Sequence, residues 1–146
     1  MHARYIRIID DDRLEEWPAL FQTAGHYTII TRENHARGLP LALMSCDGRG
    51  MMQDRVTGLR KINVYEPHCL HHQTSGLQIE QVDEDRFSCT SGFLVIRTMH
   101  SGAAGIFATG VYQDLVVQEP CGELLFAARK VITDSRQTDT LLVIPL

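Results

Sequence analysis

Hydrophobic residues recur at helical spacing in the first third of the chain and form long strand-like runs in the remainder. A short first helix is predicted from its single apolar face, which is formed by Tyr5, Ile6 and Ile9. This helix should end near three consecutive aspartates, residues 10–12. Asp12 is a favourable N-cap for a second short helix, whose last turn ends at Phe21. The chain is therefore expected to begin with two short helices.

A strand, a loop, a second strand and a third helix are predicted next. Residues 26–32 are rich in aromatic and β-branched residues, which favours a strand, and residues 33–40 have the composition of a loop. Residues 41–46 form a short apolar strand, and Asp47 can cap a helix that continues through Ile62. The apolar stripe of this helix is formed by Met52, Val56, Leu59 and Ile62.

Long strands separated by short turns are predicted for the second half of the chain. They cover Cys69–Val82, Arg86–His100, Gly105–Gln118, Glu123–Asp134 and Thr140–Pro145. The breaks are short and rich in turn residues, so consecutive strands should pair as antiparallel hairpins. The run from Phe93 to Ile96 is apolar on both faces of its strand, which indicates a sheet covered on both sides. The pattern predicts one α+β domain over residues 1–146, in which the helices close one face of a bent sheet like a cone.

Composition and charge exclude several classes of partner. The net charge is −4, and the longest run of basic residues is the pair Arg60-Lys61, which disfavours nucleic acid and acidic membranes. No segment is apolar enough over its length to span a bilayer, and no signal peptide follows Met1, so we expect a cytoplasmic protein. The four cysteines form no CxxC pair and are expected to be free thiols.

A Rieske cluster is bound by two cysteines and two histidines, and half of that motif occurs here. Cys69-Leu70-His71 matches the first half, CxH. The second half, CxxH, is missing, because the third residue after Cys89 is Gly92. The sequence therefore predicts that this chain binds no Rieske cluster.

The same segment offers a second candidate metal site, formed by His68, Cys69, His71 and His72. On a strand, His68 and His72 share one face while Cys69 and His71 share the other. Two histidines on one face without a nearby carboxylate are a weak signal for zinc or iron. The pattern favours histidines that form hydrogen bonds within the sheet or at an interface.

Acid–base catalysis inside a cone is a third possibility. Burial in an apolar pocket raises the pKa of a carboxyl group towards neutrality, as a general acid requires. The candidate groups are Asp10, His26, Tyr27, Tyr65, His100, Tyr112 and Asp114. Their spacing selects no pair, although Tyr112 and Asp114 share a strand face, and surface or interface carboxylates are the favoured interpretation.

An ordered set of segments resembles a known family nearly from end to end. The segments are residues 10–12, 17–21, Tyr27, 33–34, Met52, 54–55, 59–60, Tyr65, His68, His72, 93–98, 110–114 and 145–146. Together they resemble the β (small) subunits of aromatic-ring-hydroxylating dioxygenases. The likeness is greatest to the branch acting on aromatic acids, the small subunits of terephthalate dioxygenase and salicylate hydroxylase. That family commonly has arginine at the position of His71.

The resemblance implies a fold, an oligomeric assembly and separate roles for the α and β subunits. The expected fold is an NTF2-like (SnoaL-like, cystatin-like) cone with N-terminal helices packed on a strongly curved, mostly antiparallel sheet. Three copies should form a homotrimer that binds three α subunits. The α subunit should carry the Rieske [2Fe-2S] cluster, the mononuclear Fe(II) and the substrate pocket. This chain should carry no cofactor and act as a non-catalytic structural subunit.

Two sets of residues are singled out for the competing functions. The candidates for structural or interface roles are Trp17, Asp54, Arg55, His68, His72, Arg97, Tyr112 and Asp114. The alternative is a free-standing lyase or isomerase, or a small-molecule-binding protein, and its pocket acid–base candidates are Asp10, His26, Tyr27 and His100. The contents of the pocket should discriminate between these functions.

Overall fold

The computed structural model describes residues 1–62, 66–135 and 144–146. The helices are α1 (His2–Asp10), a 3₁₀ helix (Leu14–Leu20), α2 (Arg32–Ala36) and α3 (Arg49–Lys61). The strands are β1 (Phe21–Thr31), β2 (Ala42–Asp47), β3 (His68–Asp83), β4 (Arg86–Met99), β5 (Ala104–Gln118) and β6 (Leu124–Thr133). Most of the predicted strand Thr140–Pro145 lies outside the described residues.

The six strands form one mixed sheet in the order β2-β1-β6-β5-β4-β3. Strands β3 to β6 pair as consecutive antiparallel hairpins, as predicted, and their boundaries agree with the prediction to within one residue. Among the strands that the structure describes, only β1 and β6 pair in parallel, which places the N-terminal strand beside β6. The predicted α+β class is confirmed.

Strict alternation along β4 defines an inner and an outer face of the sheet. Cys89, Ser91, Phe93 and Val95 are buried, whereas Leu94 and Ile96 are partly exposed. The inner face packs against buried residues of the N-terminal helices, such as Ile8 in α1 and Trp17 in the 3₁₀ helix. The helices therefore cover the inner face, while the outer face is only partly covered within one chain.

Two glycines allow close approach of backbones where the sheet bends. A Cβ atom added at Gly110 would lie 2.0 Å from the main-chain oxygen of Ile132, so no side chain fits there. At Gly25 it would lie 2.9 Å from the main-chain oxygen of Gln22, inside a break in the β1–β6 register. Such bulges bend a strand and increase its twist. Strand β1 begins at Phe21, directly after the 3₁₀ helix. The prediction that Phe21 ends the second helix was therefore wrong.

Two predicted helix caps are wrong because their carboxylates have other partners. The N-cap of the 3₁₀ helix is Arg13, while Asp12 adopts a positive φ of 56° and binds Arg60 through both carboxylate oxygens at 2.9 and 2.8 Å. The N-cap of α3 is Gly48, and Asp47 pairs with His26 at 2.9 Å. Long-range contacts with Arg60 and His26 thus replaced local caps.

Two smaller predictions also fail around the helices. The apolar stripe of α3 includes Met52, Val56 and Leu59, but Ile62 is 77% exposed beyond the end of the helix. The predicted loop contains helix α2, whose first turn is capped by the side chain of Thr31, which accepts a hydrogen bond from the N–H of Asn34 at 3.2 Å.

Candidate functional site

A buried ion pair lies at the centre of the inner face. Asp114 of β5 and Arg129 of β6 are register partners, and both side chains are 1% exposed. Nε of Arg129 lies 3.5 Å from Oδ1 of Asp114, without hydrogen-bond geometry. The guanidinium group is instead sandwiched between two rings, with its carbon 3.8 Å from the ring centre of Tyr5 and 3.9 Å from that of Tyr112.

The environment of Arg129 keeps it charged. Burial by itself lowers the pKa of Arg129, but Asp114 and the surrounding tyrosines, Tyr5 and Tyr112 among them, raise it, and the net change is upward. The second oxygen of Asp114 lies 2.8 Å from Nε2 of His2, which ties α1 to the sheet. The pair therefore connects β5, β6 and α1 in one network.

The buried tyrosines are neutral phenols. Burial raises the pKa of Tyr5 to about 12, against the opposing effect of Arg129. Burial also raises the pKa values of Tyr27 and Tyr112 well above their usual range. At physiological pH these side chains therefore donate and accept hydrogen bonds but do not act as phenolate bases.

Two of the tyrosines bind the last residue of the chain. Tyr5 donates a hydrogen bond of 2.7 Å to the main-chain oxygen of Leu146. Tyr27 donates to the same oxygen at 3.1 Å and accepts from the N–H of Leu146 at 2.8 Å. Leu146 is 1% exposed, so Tyr27, a candidate for pocket chemistry, here holds Leu146 inside the cone.

A second buried pair joins α1 to β3. Oδ1 of Asp10 lies 2.5 Å from Nδ1 of His72, and Oδ2 accepts a hydrogen bond of 3.0 Å from the main-chain N–H of His72. The His72 side chain is fully buried, whereas that of Asp10 is 10% exposed. His71, on the opposite face of β3, is exposed and lies 3.8 Å from the same carboxylate. From the sequence, Asp10 was a candidate for acid–base chemistry in the pocket and His72 a candidate for a structural or interface role. The structure places the two side chains in direct contact.

The remaining acid–base candidates do not join this cluster. His26 is exposed on β1 and pairs with Asp47. His100 is exposed in the turn between β4 and β5. Tyr65 lies outside the described residues. Of the candidates with described positions, Asp10, Tyr27, Tyr112 and Asp114 face the interior, and His26 and His100 do not.

Trp17 is fully buried in an aromatic cluster. Its ring meets Phe21 edge-on at 5.8 Å between centroids and Tyr27 edge-on at 5.1 Å. Its indole Nε1 is buried and makes no hydrogen bond of standard geometry in the described part of the chain, but an interaction with Tyr5 counteracts the rise in the pKa of that tyrosine. The other contacts of Trp17 are apolar and aromatic.

The other structural candidates lie nearer the surface. Asp54 is exposed on α3, and Arg55 is half-buried close enough to Cys46 to counteract the rise in the pKa of its thiol that burial causes. Arg97 stacks on Phe107, with its guanidinium carbon 4.6 Å from the ring centre. Nδ1 of His68 lies 2.8 Å from the main-chain oxygen of Glu66.

Sequence reasoning missed Arg129, although a signal for it was present. Arg129 lies two residues before the buried Val131 on β6, in the inward phase of an otherwise apolar strand. Asp114 lies two residues after Tyr112 in the inward phase of β5. Two opposite charges in the inward phase of strands joined by a short turn predict a buried ion pair, because an unpaired buried charge is very costly.

Two pockets open beside these clusters, and the described residues show no metal centre. One, of about 370 Å³, is lined in part by Ile9, Asp10, Leu70 and Ile144. The other, of about 410 Å³, is mostly apolar and lies beside His2. Within residues 1–62, 66–135 and 144–146, no three side chains of His, Cys, Asp or Glu are placed to hold a metal ion. None of the helices in these ranges is long and apolar enough to cross a membrane.

A curved mixed sheet whose inner face is closed by N-terminal helices defines the class of NTF2-like cones, as predicted. The chain belongs to the ring hydroxylating β subunit family, whose model matches residues 4–139. The family expected from the sequence is thereby confirmed.

Named relatives and a solved structure agree with this membership. The small subunit of anthranilate 1,2-dioxygenase from Burkholderia cepacia is 38% identical, covering 100% of this chain and 90% of the relative. Subunit β1 of the terminal oxygenase component of terephthalate 1,2-dioxygenase from Comamonas sp is 35% identical, covering 99% and 94%. The solved β subunit of a proposed aromatic-ring-hydroxylating dioxygenase from Novosphingobium aromaticivorans is 37% identical, covers 99% and 92%, and has a TM-score of 0.90.

Proposed function

We propose that this chain is the non-catalytic structural subunit of a Rieske non-haem iron oxygenase that hydroxylates aromatic rings. The observation that carries the proposal is the match of residues 4–139 to the ring hydroxylating β subunit family. In this role the chain supports a larger α subunit and takes no direct part in oxygen chemistry.

The packing of the inner face supports a scaffold role. The guanidinium group of Arg129 and the rings of Tyr5 and Tyr112 fill the centre of the cone, and Leu146 is held between Tyr5 and Tyr27. Interlocked buried groups of this kind fix the relative positions of helix and sheet. Rigid presentation of an outer surface is what a supporting subunit requires.

The metal centres belong, in this proposal, to the α subunit. The CxH half motif at Cys69 and His71 has no CxxH counterpart, and both side chains are exposed on the face of β3 opposite to His72. The α subunit would carry the Rieske [2Fe-2S] cluster and the mononuclear Fe(II). The names of the relatives supply the substrate class: anthranilate and terephthalate are both aromatic acids, and we propose an aromatic acid for this enzyme as well.

We further propose that three copies form a homotrimer and that three α subunits complete a hexamer. The outer face of β4 and β5 supports self-association, because Leu94 and Ile96 are only partly covered and Ile106 is 73% exposed. Contiguous exposed apolar surface commonly marks an interface. A second apolar run of the sequence, residues 141–144, lies mostly outside the described residues.

Co-expression with a ring-hydroxylating α subunit tests the proposal. We expect the two chains to elute together with equal stoichiometry and to oxidise an aromatic acid. The same α subunit without this chain should be unstable or poorly active. An α subunit that is equally stable and active alone, with this chain eluting separately, would contradict the proposed role.

A further inference from the structure

The mostly apolar pocket of about 410 Å³ opens on the inner face of the sheet, beside the first turn of α1. The strand residues that line it include three cross-strand register pairs, which are Ile79 with Cys89, Phe87 with Val116, and Gln118 with Leu124. Register partners on neighbouring strands project to the same side of a sheet. Because Cys89 belongs to the inner face, the walls of the pocket are part of that face.

The pocket has a buried floor and an exposed apolar rim. Cys89 and Val116 are buried and form the floor. Ile79 is 59% exposed and Leu124 is 40% exposed, and together with Leu77 they form the rim. Apolar side chains in the inward phase of a strand are normally covered, and here they surround a concave space instead. A concave, mainly apolar surface of this kind is typical of a small-molecule site.

The charges around the pocket restrict the kind of ligand. None of the described residues that line it is an aspartate, glutamate, lysine or arginine. His2 lines the side formed by α1, and its Nε2 is already engaged with Asp114 at 2.8 Å. The two turns at this end of the sheet, residues 84–85 and 119–123, contain four acidic residues and no basic one. A charged ligand would lose its hydration without gaining a counter-ion in the pocket, so the surroundings suit an uncharged molecule.

The position of the pocket favours a small molecule over a second copy of the chain. The surface that we propose for self-association is the outer face of β4 and β5, where Ile106 is 73% exposed. The pocket lies on the opposite, inner face, so that contact leaves it open. This step rests on the proposed self-association, whereas the shape, polarity and charge of the pocket are properties of one chain.

The volume of the pocket sets the size of its ligand. A dry apolar cavity of roughly 150 Å³ holds one benzene molecule. The pocket, at about 410 Å³, is large enough for a fused pair of rings. We propose that it binds one small, uncharged, mainly apolar molecule with the bulk of a fused two-ring compound. This ligand differs in charge from the aromatic acids proposed as substrates of the complex, so the site goes beyond the scaffold function.

Titration of the isolated chain with indole, an uncharged compound of two fused rings, tests the site. In protein with ¹³C-labelled valine methyl groups, indole at millimolar concentration should shift the resonances of Val116, on the floor of the pocket, along a saturable curve. Those of Val56, in α3, should stay unchanged. Indole-2-carboxylate should bind about tenfold more weakly, because its charge finds no counter-ion. Unmoved Val116 resonances in the folded protein, or equal affinity for the two compounds, would overturn the proposal.

Two rim variants and two matched controls locate the binding. Ile79→Asp and Leu124→Asp place a charge at the rim, at positions exposed enough for the chain to fold, and each should lower the affinity for indole about tenfold. Ile62→Asp and Ile106→Asp, at positions that are 77% and 73% exposed outside the pocket, should leave it unchanged. Wild-type affinity in either folded rim variant, or an equal loss in the controls, would overturn the proposal. Light scattering on the same samples reports self-association separately from binding.

Discussion

The guanidinium carbon of Arg129 lies 3.9 Å from the ring centre of Tyr112, on the neighbouring strand, and the side chain of Arg129 is 1% exposed. This contact places a full positive charge in the centre of the cone, where Asp114 is its only carboxylate among the described residues at ion-pair distance. Such a charge is tolerated only while its counter-ion and the tyrosine rings surround it. The stability of the fold should therefore depend strongly on this pair.

Replacement of Arg129 by methionine should lower the free energy of unfolding by roughly 3–5 kcal/mol, because the buried carboxylate of Asp114 then keeps only its contact with His2. The measurement is denaturant unfolding of the purified chain. The double variant Arg129→Met with Asp114→Asn should recover part of the loss, since it removes both charges. Arg4→Met is the matched control, because Arg4 is 59% exposed and its ion pair lies at the surface. Equal small losses for Arg4→Met and Arg129→Met would contradict this account.

Trp17→Ala should destabilise the chain by about 3–5 kcal/mol, because Trp17 is fully buried against Phe21 and Tyr27. Thermal unfolding of the isolated chain measures the loss. In complexes with an α subunit that assemble at low temperature, turnover per assembled complex should stay near the wild-type value. The same comparison applies to Arg55→Ala. Lost turnover in stable, fully assembled complexes would instead indicate a catalytic role for these residues.

The ion pair between Glu15 and Arg60 should make a small pH-dependent contribution to stability. A hydrogen bond from Arg60 holds the pKa of Glu15 below its usual value of 4.5. A group whose pKa is lowered by folding stabilises the protein above its unfolded pKa and loses that effect as the pH falls through the folded value. Because the Glu15 side chain is 63% exposed, Glu15→Gln should cost only about 0.5–1 kcal/mol at neutral pH.

That cost should vanish in acid, at pH values well below 4.5, where both states of the wild type are protonated. Urea unfolding at several pH values gives the comparison. Glu80→Gln, on an exposed part of β3, serves as the control. A cost for Glu15→Gln that is independent of pH would show that the carboxylate charge is not responsible.

Ile106→Lys should weaken self-association without loss of monomer stability. Ile106 is 73% exposed on the outer face of the β4–β5 hairpin, so lysine is accommodated in the monomer but introduces charge into the proposed interface. Light scattering across the micromolar range measures the mass. Ile62→Lys is the matched control, because Ile62 is 77% exposed at the end of α3. A wild-type chain of monomer mass throughout this range would refute the trimer.

Local patterns predicted the strands well and the long-range contacts poorly. The alternation of buried and exposed residues along β4 and β5 is set by neighbours two residues apart, so the sequence displays it directly. The parallel pairing of β1 with β6 joins segments that are separated by most of the chain. The two strands are not connected by a short turn that would predict their pairing. The hairpins were therefore predicted to within a residue, and the parallel pairing of β1 with β6 was not.

The same difference between local patterns and long-range contacts decides which features of the candidate site could be predicted. The residues around Asp12 predict a helix cap, but its partner Arg60 lies 48 residues further on. Asp10 and His72 are 62 residues apart, and nothing in their spacing predicts the contact between them. Family resemblance supplied the fold, whereas the roles of individual side chains required the three-dimensional structure.

In the role we propose, this chain supports an iron-containing partner and binds no iron itself. The most direct measurement is iron per chain, determined for the isolated chain and for the complex co-purified with an α subunit. We expect an isolated chain without iron and without visible absorbance, because the CxH half motif at Cys69 and His71 lacks its counterpart. In the complex, all the iron should remain with the α subunit after dissociation. Stoichiometric iron in the carefully purified isolated chain would contradict the account.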